Sequence, residues 1–272
     1  MSSEPLEPPT GGDLVYRQRR PVRAWHWLNA FTVIVMLMSG LMIFNAHPQL
    51  YWGQYGANHE APWLEIGSAD GRGYLQLGPV TLPTTGVLGQ VGGQEIAFPP
   101  LVTIPTSYDL ATARAWHFFF AWLLVVPGLL FWAWGIATRH VQNDLAPTPE
   151  ELRPRNLWQD IKDHARLRFH GGEKARRYNV LQKLSYVGVI FGLLPAMVLT
   201  GLTMSPDIDA AWPWLLDLFG GRQSARSIHF ICAALLVAFI LVHLLMVVLA
   251  GPFNELRSII TGWYRLPKER AE

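Results

Sequence analysis

The sequence predicts an all-α integral membrane protein, a bundle of four transmembrane helices with a long outward-facing loop between helices 1 and 2. Three observations carry that prediction: low charge, four long apolar stretches, and basic residues gathered in blocks. Only 15% of the 272 residues are charged and 50% are apolar, whereas a soluble protein carries roughly 25% charge. The net charge of +2 says little about partners, because what matters is where the basic residues sit; a lipid bilayer is expected as a partner and nucleic acid is not.

The four stretches lie at about 25–45, 115–137, 184–205 and 227–250 and contain no Asp, Glu, Lys or Arg. Each reaches the roughly 20 residues that a helix needs to cross a ~30 Å hydrocarbon layer. Residues 1–24 are polar and proline-bearing, and no small-residue cleavage site follows the first apolar run. That run is expected to be a retained span and not a signal peptide. Pro127 and Pro195 interrupt the second and third spans and are expected to kink them. Tryptophans at 25, 27, 52, 116, 134, 212, 214 and 263 fall near span ends, where amphipathic rings anchor a helix at the interface.

Orientation follows from the 22 Lys and Arg residues. They fall in blocks at 17–23, 139–183 and 257–270, with four exceptions: Arg72, Arg114, Arg222 and Arg226. Under the positive-inside rule the N-terminal segment 1–24, the basic connection 138–183 and the tail 251–272 are cytoplasmic. The membrane domain then occupies 25–250, with 46–113 and 206–226 facing outward. The 46–113 segment is rich in Gly and Pro with β-branched patches such as Val80-Thr81-Leu82. It is too long for a plain connector, so an ordered cap with short strands is expected there.

The single cysteine, Cys232, excludes an internal disulfide, a Cys-x-x-Cys-His haem attachment and any all-cysteine metal site. Histidine is the informative residue instead. His47, His59, His140, His164 and His170 lie in the polar connections and are expected to be solvated. His26, His117, His229 and His243 lie inside spans or at their mouths, where an ionisable group is costly and usually functional. His229 and His243 are fourteen residues apart on one helix, about 21 Å of rise and only about 40° of rotation. They cannot share one ion. With the orientation above, His26 pairs in depth with His243 near the cytoplasm, and His117 with His229 near the outer surface. Two histidines facing each other, without thiolates or carboxylates, suit the two axial positions of a haem iron. Two such layers make a dihaem site with His26, His117, His229 and His243 as metal ligands. A proton relay and histidines bonded within the core are the competing readings, and neither predicts depth-matched pairs.

Repeats support the pairing. Arg-Ala-Trp-His occurs at 23–26 and again at 114–117, and Arg226-Ser227-Ile228-His229 keeps its first and last residues. An i, i+3 pair shares a helix face, so Arg23, Arg114 and Arg226 can meet haem propionates at the rim. Gly40 lies fourteen residues after His26, so its face passes the outer haem layer without a side chain. Ser39-Gly40-Leu41 recurs as Thr200-Gly201-Leu202 in the third span, although small residues also serve plain helix contact. The third span has no histidine and is expected to be scaffold, Cys232 a small buried residue, and the span methionines packing groups.

These residues resemble the four-helix dihaem cytochrome b subunits of bacterial formate dehydrogenase, nickel–iron hydrogenase and thiosulfate reductase. The likeness runs over nearly the whole chain and is strongest at 23–29, 114–122, 177–183 and 220–229. It is closest in pattern to the thiosulfate reductase cytochrome b branch. The resemblance implies a bacterial inner (cytoplasmic) membrane protein with two non-covalent, bis-histidine b-type haems and a periplasmic loop at 46–113. It implies electron transfer between the quinone/quinol pool and a periplasmic redox enzyme, a molybdenum enzyme of thiosulfate reductase or sulfite oxidase-like type. The family's axial histidines match positions 26, 117, 229 and 243 one for one. Quinone exchange is expected at the cytoplasmic end. A self-contained quinone-linked superoxide oxidase or ferric reductase, and a haem-free transporter or proton channel, are the alternatives. The long loop at 46–113 departs from the compact loops of the hydrogenase and formate dehydrogenase members.

Overall fold

The computed structural model describes residues 12–56, 60–166 and 178–266. His59, His170, the first residue of the 177–183 motif and both chain ends lie outside the described residues, as does the side chain of His164. Four helices are long and apolar enough to span a membrane: Arg20–Phe44, Leu110–Ala137, Val180–Thr203 and Arg222–Ala250. In chain order the elements are β1 (Leu14–Tyr16), α1 (Arg20–Phe44), β2 (Gln49–Leu50), β3 (Leu64–Ala69), β4 (Arg72–Leu77), β5 (Val80–Pro83), β6 (Gly89–Val91) and β7 (Gln94–Ile96). They continue with α2 (Leu110–Ala137), α3 (Pro154–Ala165), α4 (Val180–Val187), α5 (Leu194–Thr203), α6 (Pro206–Ala211), α7 (Trp214–Leu218), α8 (Arg222–Ala250), α9 (Pro252–Thr261) and β8 (Trp263–Arg265).

The helices begin four to five residues before the uncharged stretches do. Arginine is a good helix former, and its long stem lets the charged head reach an interface from inside a helical turn. A helix therefore continues through Arg20, Arg23, Arg114, Arg222 and Arg226, where a charge-free window stops. Pro127 sits inside α2, which stays helical across it. The third span is not one regular helix. A π-helical turn at Gly188–Leu193 separates α4 from α5, and Pro195 follows in the first turn of α5, where its missing N–H costs nothing. Asn179 opens α4 with a capping box, accepting from Gln182 N–H while the Gln182 side chain accepts from Asn179 N–H.

The chain divides into two compact units. One comprises residues up to Trp27, Gly128–Gly192 and those from Val237 onward. In it, β1 pairs antiparallel with β8. The Arg17 guanidinium lies 4.6 Å from the Tyr264 ring centre and 5.4 Å from that of Tyr178, with Glu255 at 3.6 Å. Trp25 stacks on Phe131 at 4.3 Å. His140 is a correction: it is 5% exposed, not solvated, and its Nδ1 lies 2.6 Å from Asp144 Oδ2. The turn after α2 brings the carboxylate back four residues along the chain, so the imidazole is buried with a partner. Lys183 is likewise buried, with Nζ 2.9 Å from both Glu151 carboxylate oxygens.

The second unit comprises Leu28–Pro127 and Leu193–Leu236. Its segment between α1 and α2 holds a four-stranded antiparallel sheet in the order β2-β3-β4-β5, and β6 and β7 form a hairpin. Between β3 and β4, Ala69 pairs with Arg72 around Asp70 and Gly71. Both have positive φ, 51° and 71°, the two-residue turn whose twist matches that of the strands. Leu50, Leu64 and Ile66 point from the sheet into a core with Phe44 and Ala97, and Phe230 of α8 packs on it. Trp63 Nε1 donates to Ser227 Oγ of α8 at 2.9 Å.

Candidate functional site

The four span histidines come together in two pairs. In the first unit the His26 and His243 ring centroids are 6.3 Å apart, with planes at 55°. In the second the His117 and His229 centroids are also 6.3 Å apart, with planes at 60°. Metal–nitrogen bonds of ~2.0 Å, with ~1.1 Å more from each nitrogen to its ring centre, put two imidazoles on one ion ~6.2 Å apart. Both pairs have that separation. Among the described residues no cluster of three or more His, Cys, Asp or Glu could hold a metal ion. Two imidazoles at that separation are a donor set that a haem would complete.

The pairs are held differently. Ser39 and Thr200 are fully buried. Ser39 Oγ lies 3.1 Å from His117 Nδ1 and Thr200 Oγ1 lies 3.0 Å from His229 Nδ1. Each hydroxyl donates its one proton to its own helix, Ser39 to Val35 O at 2.8 Å and Thr200 to Ala196 O at 2.6 Å. Toward the imidazoles the oxygens can therefore only accept, and the Met36 and Met197 carbonyls accept from the same two rings, so each Nδ1 carries hydrogen. The lone pair is left on Nε2, the nitrogen available to a metal. Next to each hydroxyl is a glycine. A Cβ on Gly40 would sit 3.4 Å from His117 Cε1, and one on Gly201 would sit 3.5 Å from His229 Cε1. Gly40 thus lies against the ring of a histidine, where a methyl group would already be in van der Waals contact. The expected scaffold role of the third span is too small, because α5 supplies the hydroxyl that orients His229.

The other pair is placed by aromatic contacts. His243 stacks on Phe239 at 5.8 Å and His26 meets Trp27 edge-on at 5.3 Å. His26 Nδ1 is buried without a hydrogen-bond partner among the described residues.

The three arginines of the repeats have distinct surroundings. Arg23 donates to the Ile260 carbonyl. Arg226 donates to the carbonyls of His47 and of Gln49, the latter at 3.0 Å, tying α8 to the segment after α1. The Arg114 guanidinium is exposed, 5.9 Å from the Phe118 ring centre. Cys232 is 7% exposed, and Met42 and Met197 are buried packing groups. An open cleft of about 320 Å³ at the start of α1 is lined by Arg20, Arg23, Ala24, Trp27, Ile259 and Ile260.

Ser39 and Thr200 are the site residues that sequence reasoning did not place. Their signal was visible in the Ser-Gly-Leu and Thr-Gly-Leu repeat. What it lacked was the partner, because nothing in sequence spacing links residue 39 to 117 or 200 to 229.

The chain belongs to the prokaryotic cytochrome b561 family, whose model matches residues 17–262. It is 27% identical to an Azospira oryzae protein named as a protein-methionine-sulfoxide reductase subunit, YedZ1, over 84% of this chain and 88% of the relative. It is 21% identical to an Azotobacter vinelandii protein named as a Ni/Fe-hydrogenase B-type cytochrome subunit, over 95% of this chain and 91% of the relative. A cytochrome of Escherichia coli named YdhU is 24% identical over 93% of this chain and 76% of its own length. No solved structure matches the chain. The protein is thus a b-type, haem-binding cytochrome of electron transport and a multi-pass inner-membrane protein.

Proposed function

We propose that the chain is a dihaem cytochrome b that carries electrons between the quinone/quinol pool and a redox enzyme on the periplasmic side. The observation that carries this reading is the pair of histidine pairs, each with ring centroids 6.3 Å apart. In it, His26 and His243 hold one haem, and His117 and His229 the other. When bound, haem supplies reversible one-electron chemistry that no side chain in these spans offers.

The protein's own residues do the rest. The imidazoles would hold each iron, His117 and His229 through Nε2, the nitrogen left free by the hydrogen bond at Nδ1. Ser39 and Thr200 set the tautomer and ring direction of His117 and His229. The span helices, apolar around most of their circumference, keep water from the ligands. Arg114 is the arginine with an exposed guanidinium suited to a propionate, whereas Arg23 and Arg226 are engaged by carbonyls and act as ties between segments.

The cleft at the start of α1 supports quinone exchange at that end of the protein. Ile259, Ile260, Ala24 and Trp27 offer an apolar wall and Arg20 offers donors to carbonyl oxygens, the mixture that quinone rings need. Both termini are cytoplasmic in this reading, and the 46–113 segment faces the periplasmic partner. The named relatives include subunits of a hydrogenase and of a protein-methionine-sulfoxide reductase. The partner we propose is a molybdenum enzyme of thiosulfate reductase or sulfite oxidase-like type.

Haem counting and a reduced-minus-oxidised spectrum on the wild type and on His117→Ala test the reading. Two b haems in the wild type and one in the variant are expected. Unchanged haem content in His117→Ala removes that residue from the ligands. A structure with a quinone analogue bound under residues 46–113 overturns the placement of the quinone site.

A further inference from the structure

We propose that Ser39 and Thr200 are positioning residues that lower the reduction potential of the iron held by His117 and His229, and that the His26/His243 site lacks this device. The proposal rests on the bis-histidine reading above. Its geometry is duplicated: a fully buried hydroxyl on a neighbouring helix, 3.1 and 3.0 Å from the Nδ1 of each ligand. In each case the hydroxyl proton is committed to a helix carbonyl. Such a hydroxyl is a better acceptor, because donation polarises the oxygen. An imidazole that donates its Nδ1–H to such an oxygen gains electron density at Nε2 and becomes a stronger donor to its metal. Ferric iron, the more electron-poor state, gains more from that donation than ferrous iron. The couple therefore moves toward the oxidised form.

At the other site His26 Nδ1 has no hydrogen-bond partner among the described residues, and the face of His243 is covered by Phe239. Among the described residues no side-chain hydroxyl is hydrogen-bonded to His26 Nδ1. Gly40 and Gly201 lie beside the same two rings, where a methyl group would already be in van der Waals contact. A purely structural role for Ser39 and Thr200, satisfying their own helices, requires no imidazole at hydrogen-bond distance from either of them.

The test is a potentiometric titration of the detergent-solubilised protein, followed at the haem α-band, for the wild type, Ser39→Ala, Thr200→Val and the double variant. Each single variant is expected to raise the potential of one of two components and leave the other in place. The expected size is a roughly three- to tenfold change in the ferric-to-ferrous ratio at fixed ambient potential, about 59 mV at the tenfold limit. The double variant should move the same component further. Ser39→Thr and Thr200→Ser keep a hydroxyl and should keep wild-type potentials. If the single variants lose haem, the conservative pair decides: unchanged potentials support the proposal, and a shift in them overturns it. Two haems with unmoved potentials in Ser39→Ala and Thr200→Val overturn the proposal and leave the bis-histidine reading standing. A wild-type protein without two b haems overturns that reading, and the proposal with it.

Discussion

Gly40 and Gly201 show how much one missing side chain does in this protein. A methyl at either position would already be in van der Waals contact with a histidine ring, 3.4 and 3.5 Å from Cε1. Alanine therefore fits, and a branched side chain does not. Gly40→Ala is expected to retain both haems, whereas Gly40→Val is expected to turn His117 and lose one of two, as a haem count on the purified protein would show. Retention of both haems in Gly40→Val would mean that α1 yields to the ring. The histidines themselves were legible in the sequence because ionisable residues inside apolar spans are rare. The repeated Ser-Gly-Leu and Thr-Gly-Leu were legible as a pattern but not as a function. His140 was misread for a related reason: its partner Asp144 is four residues away across a turn whose shape composition does not reveal.

At the scale of elements, α9 and β8 depend on one residue between them. Gly262 ends α9 with φ 92°. A Cβ there would lie 2.5 Å from Tyr16 and 2.9 Å from the Gln18 carbonyl oxygen. Gly262→Ala is expected to cost about 1–3 kcal/mol from backbone strain alone, with the clash adding to it. A thermal melt in detergent should fall accordingly, and an unchanged melt would show that β1 moves aside without cost. The spans were legible as elements because length and hydropathy set them. Their ends were not. The first, second and fourth spans continue through arginines that a charge-free criterion rejects and the third through Lys183, and the π-helical turn at Gly188–Leu193 has no composition signal. The sheet between α1 and α2 was foreshadowed by Gly-containing turns and β-branched patches, but its strand order was not.

For the molecule as a whole, orientation and acid stability are the measurable properties. Because Cys232 is buried and single, an introduced cysteine is a clean reporter. A membrane-impermeant thiol reagent on intact cells should label Val80→Cys and spare Arg155→Cys, both exposed positions; the reverse pattern inverts the proposed topology. In acid, the Glu151–Lys183 pair is the sensitive point. Burial by itself would raise the Glu151 carboxyl, but the Thr148 N–H and the Lys183 ammonium outweigh it and hold the group below its ordinary 4.5. A carboxyl depressed by folding contributes stability above its unfolded value, and that contribution is lost as pH falls through the folded one. The wild type should therefore lose thermal stability below about pH 4.5 more steeply than Glu151→Gln, as melts in detergent across that range would show. Parallel curves would mean that the pair contributes nothing.

The amino-acid sequence alone determined the class of this protein. The cost of placing polar groups in hydrocarbon leaves a direct mark on composition: four apolar runs, basic blocks on one side, and few histidines where they are expensive. Tertiary structure alone decided which groups meet: His26 with His243, His117 with His229, and the hydroxyls of Ser39 and Thr200 with the latter two rings. Those contacts join residues on different helices. Helical periodicity determines the face that a residue occupies, but only packing determines which face lies opposite.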